Sequence, residues 1–324
     1  MVTPIVVPDA SQPVHVSAPD TAELIERQTK FLREMDHRSG GGSCLDGALT
    51  LIHRIRHLPG SPHDIEHRRR DVAVADLHNL VGWASFDIGL THQAHRYFSQ
   101  ALALAGRGGD ARLIADIFHR LGRMRLHEDS PVEALDYLQF GLLAADAPGG
   151  EITTSILLMN QAWAYAMTGT AALACQLVDR GHDLFTAAAA SDRPGWSSFV
   201  TETDMLAMTG TVYSELAHRV DPSYARTAIP HLTQAIDGYG DPMARSRTFT
   251  LILLAMSHLV DGEVDEGVEM GSHALACAEN LASVRVHERM LRLKADAERH
   301  DTHTGARKLA TRIAALTIPP GHTR

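Results

Sequence analysis

The residues with the most overt chemical potential lie between positions 53 and 70. His63-Asp64-Ile65-Glu66-His67 spells H-x-x-E-H, the inverted zincin motif. On a helix its two histidines share a face and can hold zinc, with the glutamate as general base. Here, however, His63 directly follows Pro62, at or before the first helical turn, and no third ligand is evident. The chain carries 20 histidines, so pairs at this spacing also arise by chance, as His53 and His57 illustrate. Whether His63 and His67 bind metal stays open on these residues, and neither a metal nor a cofactor is assigned. Arg68-Arg69-Arg70, with Arg54 and Arg56 nearby, forms a local basic patch whose planar forks suit phosphates. In a chain of net charge −9 it reads as a solvated helix face or an ion-pair partner, and direct DNA binding is not expected. No G-x-S-x-G elbow or P-loop occurs, so no catalytic residue is assigned.

The elements that would position such residues are helices. From Asp20 onward apolar residues recur at helical spacing, and no run of alternating β-branched residues suggests a strand. Thr21 to His37 and Cys44 to Leu58 read as two helices, joined by a flexible SGGGS stretch (Ser39 to Ser43) and ended by Pro59-Gly60-Ser61-Pro62. Thereafter the chain repeats. Ala94, Ala134 and Ala174 are spaced by 40 residues, as are Gly82, Gly122 and Ala162. Small residues at these places let two helices of a hairpin approach, and Phe98 or Leu138 one turn on fills the space beside them. That pattern is tetratricopeptide-like. Gly89, Gly169 and Gly262 stand where left-handed C-caps are expected, and Asp110, Ser130 and Thr170 where N-caps are. A fourth pair is expected over Phe199 to Gly240 and a fifth over Pro242 to Asn280, with capping helices at Ser283 to Arg299 and Thr304 to Leu316. The predicted fold is all-α: a right-handed superhelix, or solenoid, of about five tetratricopeptide-like hairpins with capping helices.

Two stretches, Leu80 to Asp110 (LVGWASFDIGLTHQAHRYFSQALALAGRGGD) and Pro194 to Gly210 (PGWSSFVTETDMLAMTG), resemble the tetratricopeptide-repeat C-terminal region of actinobacterial helix-turn-helix transcription regulators. The resemblance spans roughly Ser61 to Arg299, and its most specific part is the Trp-x-x-Phe-Asp-x-Gly run at Trp83 to Gly89. It implies the sensor or interaction half of such a regulator, often linked to secondary-metabolite or antibiotic biosynthesis genes. No evident helix-turn-helix precedes the array here.

In such a solenoid the first helix of each pair lines the concave face. Counting from the glycine anchors, that face carries Asp76, Asn79, Trp83, Phe86 and Asp87, then Asp116, His119, Arg123 and His127. The third pair adds Met159, Trp163 and Met167, the fourth Asp204, Thr211, Ser214 and Glu215, and the fifth Phe249, Ile252 and Met256. The ligand-binding set read from these is Asp76, Asn79, Trp83, Asp87, His119, Arg123, His127, Met159, Trp163 and Asp204. Arg123 and His119 would face a carboxylate. Packing of Trp83 and Trp163 between neighbouring helices is the competing reading, and Phe86 leans to the core.

Composition agrees with a folded chain: 324 residues, 44% apolar and 21% charged, unlike a disordered sequence. Cys44, Cys175 and Cys277 are odd in number and far apart, which fits a reducing cytoplasm, and no apolar run approaches a membrane span. The expected organisation is a disordered Pro-rich lead (1–19), N-terminal helices (20–60), a repeat domain (61–316) and a disordered tail (317–324). The expected function is a non-enzymatic regulatory protein binding a protein or peptide partner, or a small-molecule effector, in the groove. A metal-dependent or recruited biosynthetic enzyme on the same scaffold is the alternative. An exposed solenoid end also offers a surface for a homodimer.

Overall fold

The computed structural model describes residues 21–56, 64–146, 150–188 and 200–316. Alanine- and leucine-rich stretches separated by glycine, proline and Asx stops become fourteen α-helices, with no strand among the described residues. Two N-terminal helices, α1 (Thr21–Ser39) and α2 (Leu45–Ile55), precede six hairpins. The hairpins are α3 (Asp64–Asp87) with α4 (Thr91–Gly108), α5 (Ala111–His127) with α6 (Pro131–Ala145), and α7 (Glu151–Met167) with α8 (Ala171–Ala187). They continue with α9 (Glu202–Arg219) and α10 (Ala225–Gly238), α11 (Ala244–Asp261) and α12 (Val264–Ala278), and α13 (Val284–Glu298) and α14 (Thr304–Ala314). The first helix of each hairpin also packs on the first helix of the next, from α3 through α13.

Small residues set the closeness of each hairpin. A Cβ at Gly82 would stand 2.8 Å from the Phe98 ring, one at Gly122 2.7 Å from Leu138, and one at Gly210 2.5 Å from Leu232. Ala94, Ala134, Ala174 and Ala228 in the second helices of these hairpins and of α7–α8 are fully buried. The 40-residue spacing extends to the helix ends. Gly89 and Gly169 take left-handed φ of +84° and +76°, and between them Asp129 takes φ 57°, a conformation that Asp tolerates better than bulkier residues. Of the three expected N-caps, Asp110 accepts a hydrogen bond from the Leu113 amide at 2.9 Å. Ser130 and Thr170 occupy the N-cap position without a side-chain bond to the helix.

The glycine stretch after α1 differs from its expected flexibility. Gly41–Ser43 forms a 3-10 turn wedged against two other parts of the molecule. A Cβ on Gly40 would lie 2.7 Å from the Ala282 carbonyl, and one on Gly41 2.6 Å from that of Ala84. Backbone bonds from Ala282 N to Ser39 O (3.2 Å) and from Gly42 N to Ala282 O (3.4 Å) fasten the turn to the α12–α13 connection. Glycine is needed there so that backbone can meet backbone, not so that the chain can move.

Two apolar clusters anchor the ends of this arrangement. Ile25, Leu32 and Ile52 of α1 and α2 share a core with Leu77 and Leu80 of α3, while Leu293, Leu309 and Ile313 share one with Leu251 and Leu275. Because α1 touches α11, and the 3-10 turn touches the approach to α13, the early and late hairpins meet. No helix among the described residues is long and apolar enough to cross a membrane.

Candidate functional site

The meeting of early and late helices is polar at its centre. Asp87, at the C-terminal end of α3, is fully buried and accepts from the Gly41 amide (2.8 Å), Ser283 Oγ (2.8 Å), Arg285 Nε (2.6 Å) and an Arg245 nitrogen (3.2 Å). Arg245 of α11 also grips Asp36 of α1 through two bonds of 2.7 Å. Burial alone would keep the Asp87 carboxyl protonated, but Arg285 and Arg245 overcome it and hold the group down to about 2. Two aspartates and two arginines thus share one buried seam joining α1, α3, α11 and α13, with their lone pairs and protons largely matched.

Beside the seam lies a cavity of about 180 Å³. Its wall takes Trp83 from α3, His119, Arg120, Arg123 and His127 from α5, and Met159 and Trp163 from α7. Asp204 and Thr211 come from α9, Tyr239 from the segment before α11, Phe249 from α11, and Arg285 and Arg289 from α13. Aromatic rings carry much of this surface. The Arg285 guanidinium lies 4.3 Å from the centre of the Trp83 ring, and that of Arg289 5.6 Å from Trp163. His127 sits among them, edge-on to Trp163 at 5.3 Å and 6.0 Å from both Phe86 and Phe249. Burial, then Arg285, Arg289 and Arg123, push its pKa far below the usual imidazole value. A neutral ring can accept from Arg285, whose Nη1 is 3.2 Å from His127 Nε2.

Asp116 organises the α5 side. It accepts from Asn79 (2.7 Å), Arg120 (3.0 Å) and His119 (3.3 Å), and Arg120 and His119 hold it ionised although burial opposes this. Arg123 and Arg289 differ from the other arginines of the wall. Neither makes a hydrogen bond or ion pair with a described residue. Burial, with Arg285, Arg120 and Arg245 adding to it, pushes Arg123 down to about 10. Burial and Arg292 push Arg289 down to about 10, against the pull of Glu215.

Of the ten residues read from the sequence as ligand-binding, Trp83, His119, Arg123, His127, Met159, Trp163 and Asp204 line the cavity. The other three are placed elsewhere. Asp76 pairs with Arg33 at 2.5 Å, Asn79 supports Asp116, and Asp87 belongs to the seam. Asp116, Thr211 and Phe249 are also on the wall, whereas Ser214 bonds Ser257, Glu215 pairs with Arg219, and Met167, Ile252 and Met256 are core. Trp83 and Trp163, 6% and 5% exposed, are at once packed between helices and part of the wall.

Counting along the first helices missed Arg285 and Arg289, because Ser283 to Arg299 reads as a capping helix outside the repeats. Their i, i+4 spacing was the available signal. Arg245, Tyr239 and His37, also on the wall, were missed as well.

The H-x-x-E-H motif starts at His63, which lies outside the described residues; Glu66 and His67 are exposed on α3. Among the described residues no group of three His, Cys, Asp or Glu side chains is arranged to hold a metal. In the basic patch, Arg69 binds Glu26 through both Nε and Nη2 (3.1 and 2.9 Å) and Arg70 donates to the Ile55 carbonyl. No family model matches the chain, and no curated protein matches it.

Proposed function

We propose that this chain is a non-enzymatic binding protein of tetratricopeptide-like hairpins wound into a right-handed superhelix, whose concave face takes a small effector and passes its presence on as a regulatory signal. The observation that carries this reading is the cavity walled by Trp83, Trp163 and Phe249 and edged by arginines. Apolar rings with a few directed polar groups are the usual make-up of a small-molecule site. An apolar cavity of about 150 Å³ takes one benzene ring. At about 180 Å³ this one suits a molecule of similar size carrying a polar group. Its walls come from both sides of the seam, so an occupant touches α3, α5 and α7 together with α11 and α13. Filling the cavity then stabilises the meeting of early and late hairpins, a change that a protein partner can read. Control of transcription or secondary metabolism is the output that the sequence resemblance implies.

Ala207 lines the cavity and is half-buried, so Ala207→Phe fills it from the wall. Thermal unfolding with fractionated small-molecule extract of the native host tests the proposal. One or more fractions should raise the Tm of the wild type and leave that of Ala207→Phe unchanged, with both proteins equally helical. Equal shifts in both, or no shift in the wild type with any fraction, would contradict it.

A further inference from the structure

The cavity wall holds more positive charge than its carboxylates match. Of the five arginines among its described residues, Arg120 is answered by Asp116, and Arg245 and Arg285 by Asp36 and Asp87. Among the described residues no carboxylate pairs with Arg123 or Arg289, although Arg289 is only 6% exposed and Arg123 has an Nε buried without a hydrogen-bond partner. The remaining acid of the wall, Asp204, accepts from Tyr239 Oη (2.8 Å) and caps α9 through the Thr201 amide (2.9 Å). Glu215 and Asp129, which attract Arg289 from a distance, are both paired with Arg219.

A buried guanidinium without an anion is costly, and a protein of this size has many apolar replacements for it. Arg289, buried, and Arg123, half-buried with its Nε enclosed, stand on one cavity in a chain that elsewhere pairs its buried arginines with described aspartates, which indicates that the matching anion arrives from outside. The planar guanidinium fork fits a carboxylate through two parallel hydrogen bonds. Trp83 and Trp163, each largely buried with an arginine over its ring, supply apolar wall beside those forks.

We propose that the cavity is a receptor for a small organic anion, a carboxylate borne on a flat ring, with the carboxylate neutralising Arg289 or Arg123 and the ring against the apolar wall of Trp83, Trp163 and Phe249. This names the ligand class for the binding role inferred above and rests on it. No bond is made or broken; the anion supplies the counter-charge that the wall lacks.

The test uses the whole chain and five probes: benzoate, indole-3-carboxylate, their uncharged amides, and inorganic phosphate. Binding is read by tryptophan fluorescence and by the shift in Tm. Saturable binding of at least one ring carboxylate is expected, at least tenfold tighter than its amide. Arg289→Met or Arg123→Met, on different helices, should remove that preference, so a folding defect in one variant leaves the other informative. Because the unmatched charge disappears, the Tm of the better-folded variant without probe should equal or exceed that of the wild type. A residue that merely supports the fold would lower it.

Equal binding of acid and amide, unchanged preference in both variants, or no saturable response to either carboxylate would each overturn the assignment. Saturation by phosphate with no response to the ring carboxylates would overturn the ring part of it. If the amides bind as tightly as the acids and Ala207→Phe abolishes both, the anion assignment falls while the binding role stands.

Discussion

Asp87 shows how one side chain can hold distant parts of a helical molecule together. It follows the Gly82 anchor by little more than one turn of α3, and from there it meets the glycine turn, α11 and α13. Removing its charge leaves Arg285 and part of Arg245 uncompensated in the interior, a loss of about 3–5 kcal/mol for a buried pair. Asp87→Asn should therefore lower the midpoint of urea unfolding strongly, and a change under about 1 kcal/mol would deny the seam its role. The pH dependence has a definite sign. The folded carboxyl is held near 2, below its ordinary 3.8, so its contribution is complete above 3.8 and is lost as pH falls through about 2. The shift corresponds to roughly 2 kcal/mol. The stability difference between wild type and Asp87→Asn should accordingly shrink between pH 4 and pH 2, and unfolding curves across that range measure it.

At the scale of elements, the chain's 40-residue spacing settles more than which segments are helical. Gly89, Asp129 and Gly169 stand at the same place in successive hairpins, and all three have positive φ. A Cβ at Gly89 would find room, with Val284 no nearer than 3.7 Å, so only the backbone conformation resists it. Gly89→Ala should cost about 1–2 kcal/mol. Asp129→Gly should instead be neutral or stabilise by up to about 1 kcal/mol, since relief at the backbone outweighs an exposed bridge to Arg219. Chemical denaturation of the two variants checks the pair, and an equal loss in both would show that the position does not share one conformation.

Hairpin pairing was legible in sequence because it is local: Gly82 and Phe98, or Gly122 and Leu138, announce a close helix pair within one repeat. The caps were less legible. Asp, Ser and Thr share a preference for the N-cap, yet only Asp110 among the three turns its oxygen to the helix amides.

For the molecule as a whole, the decisive contacts join residues that no repeat pattern connects. Arg245 and Asp36 are 209 positions apart, and Arg285 and Asp87 198. Seven of the ten sequence-derived site residues fall on the cavity because first helices face it, a consequence of the local pattern. Asp76 and Asp87 do not, because each is consumed by an arginine brought from another helix. The same long-range closure buries Arg289 and brings α13 to the cavity wall, and neither was visible in a sequence where α13 reads as a capping helix. The glycine stretch, read as a linker, proved to be part of that closure.

Occupancy of the cavity by a small molecule in the cell is what the binding role requires. Native mass spectrometry of the chain expressed in its own host and purified without denaturation measures this directly. The account predicts an added mass on the wild type, no larger than a small metabolite and released on unfolding, that is missing from the equally folded Ala207→Phe variant. An identical mass on both proteins, or bare wild-type chain under conditions gentle enough to keep other complexes intact, would contradict it.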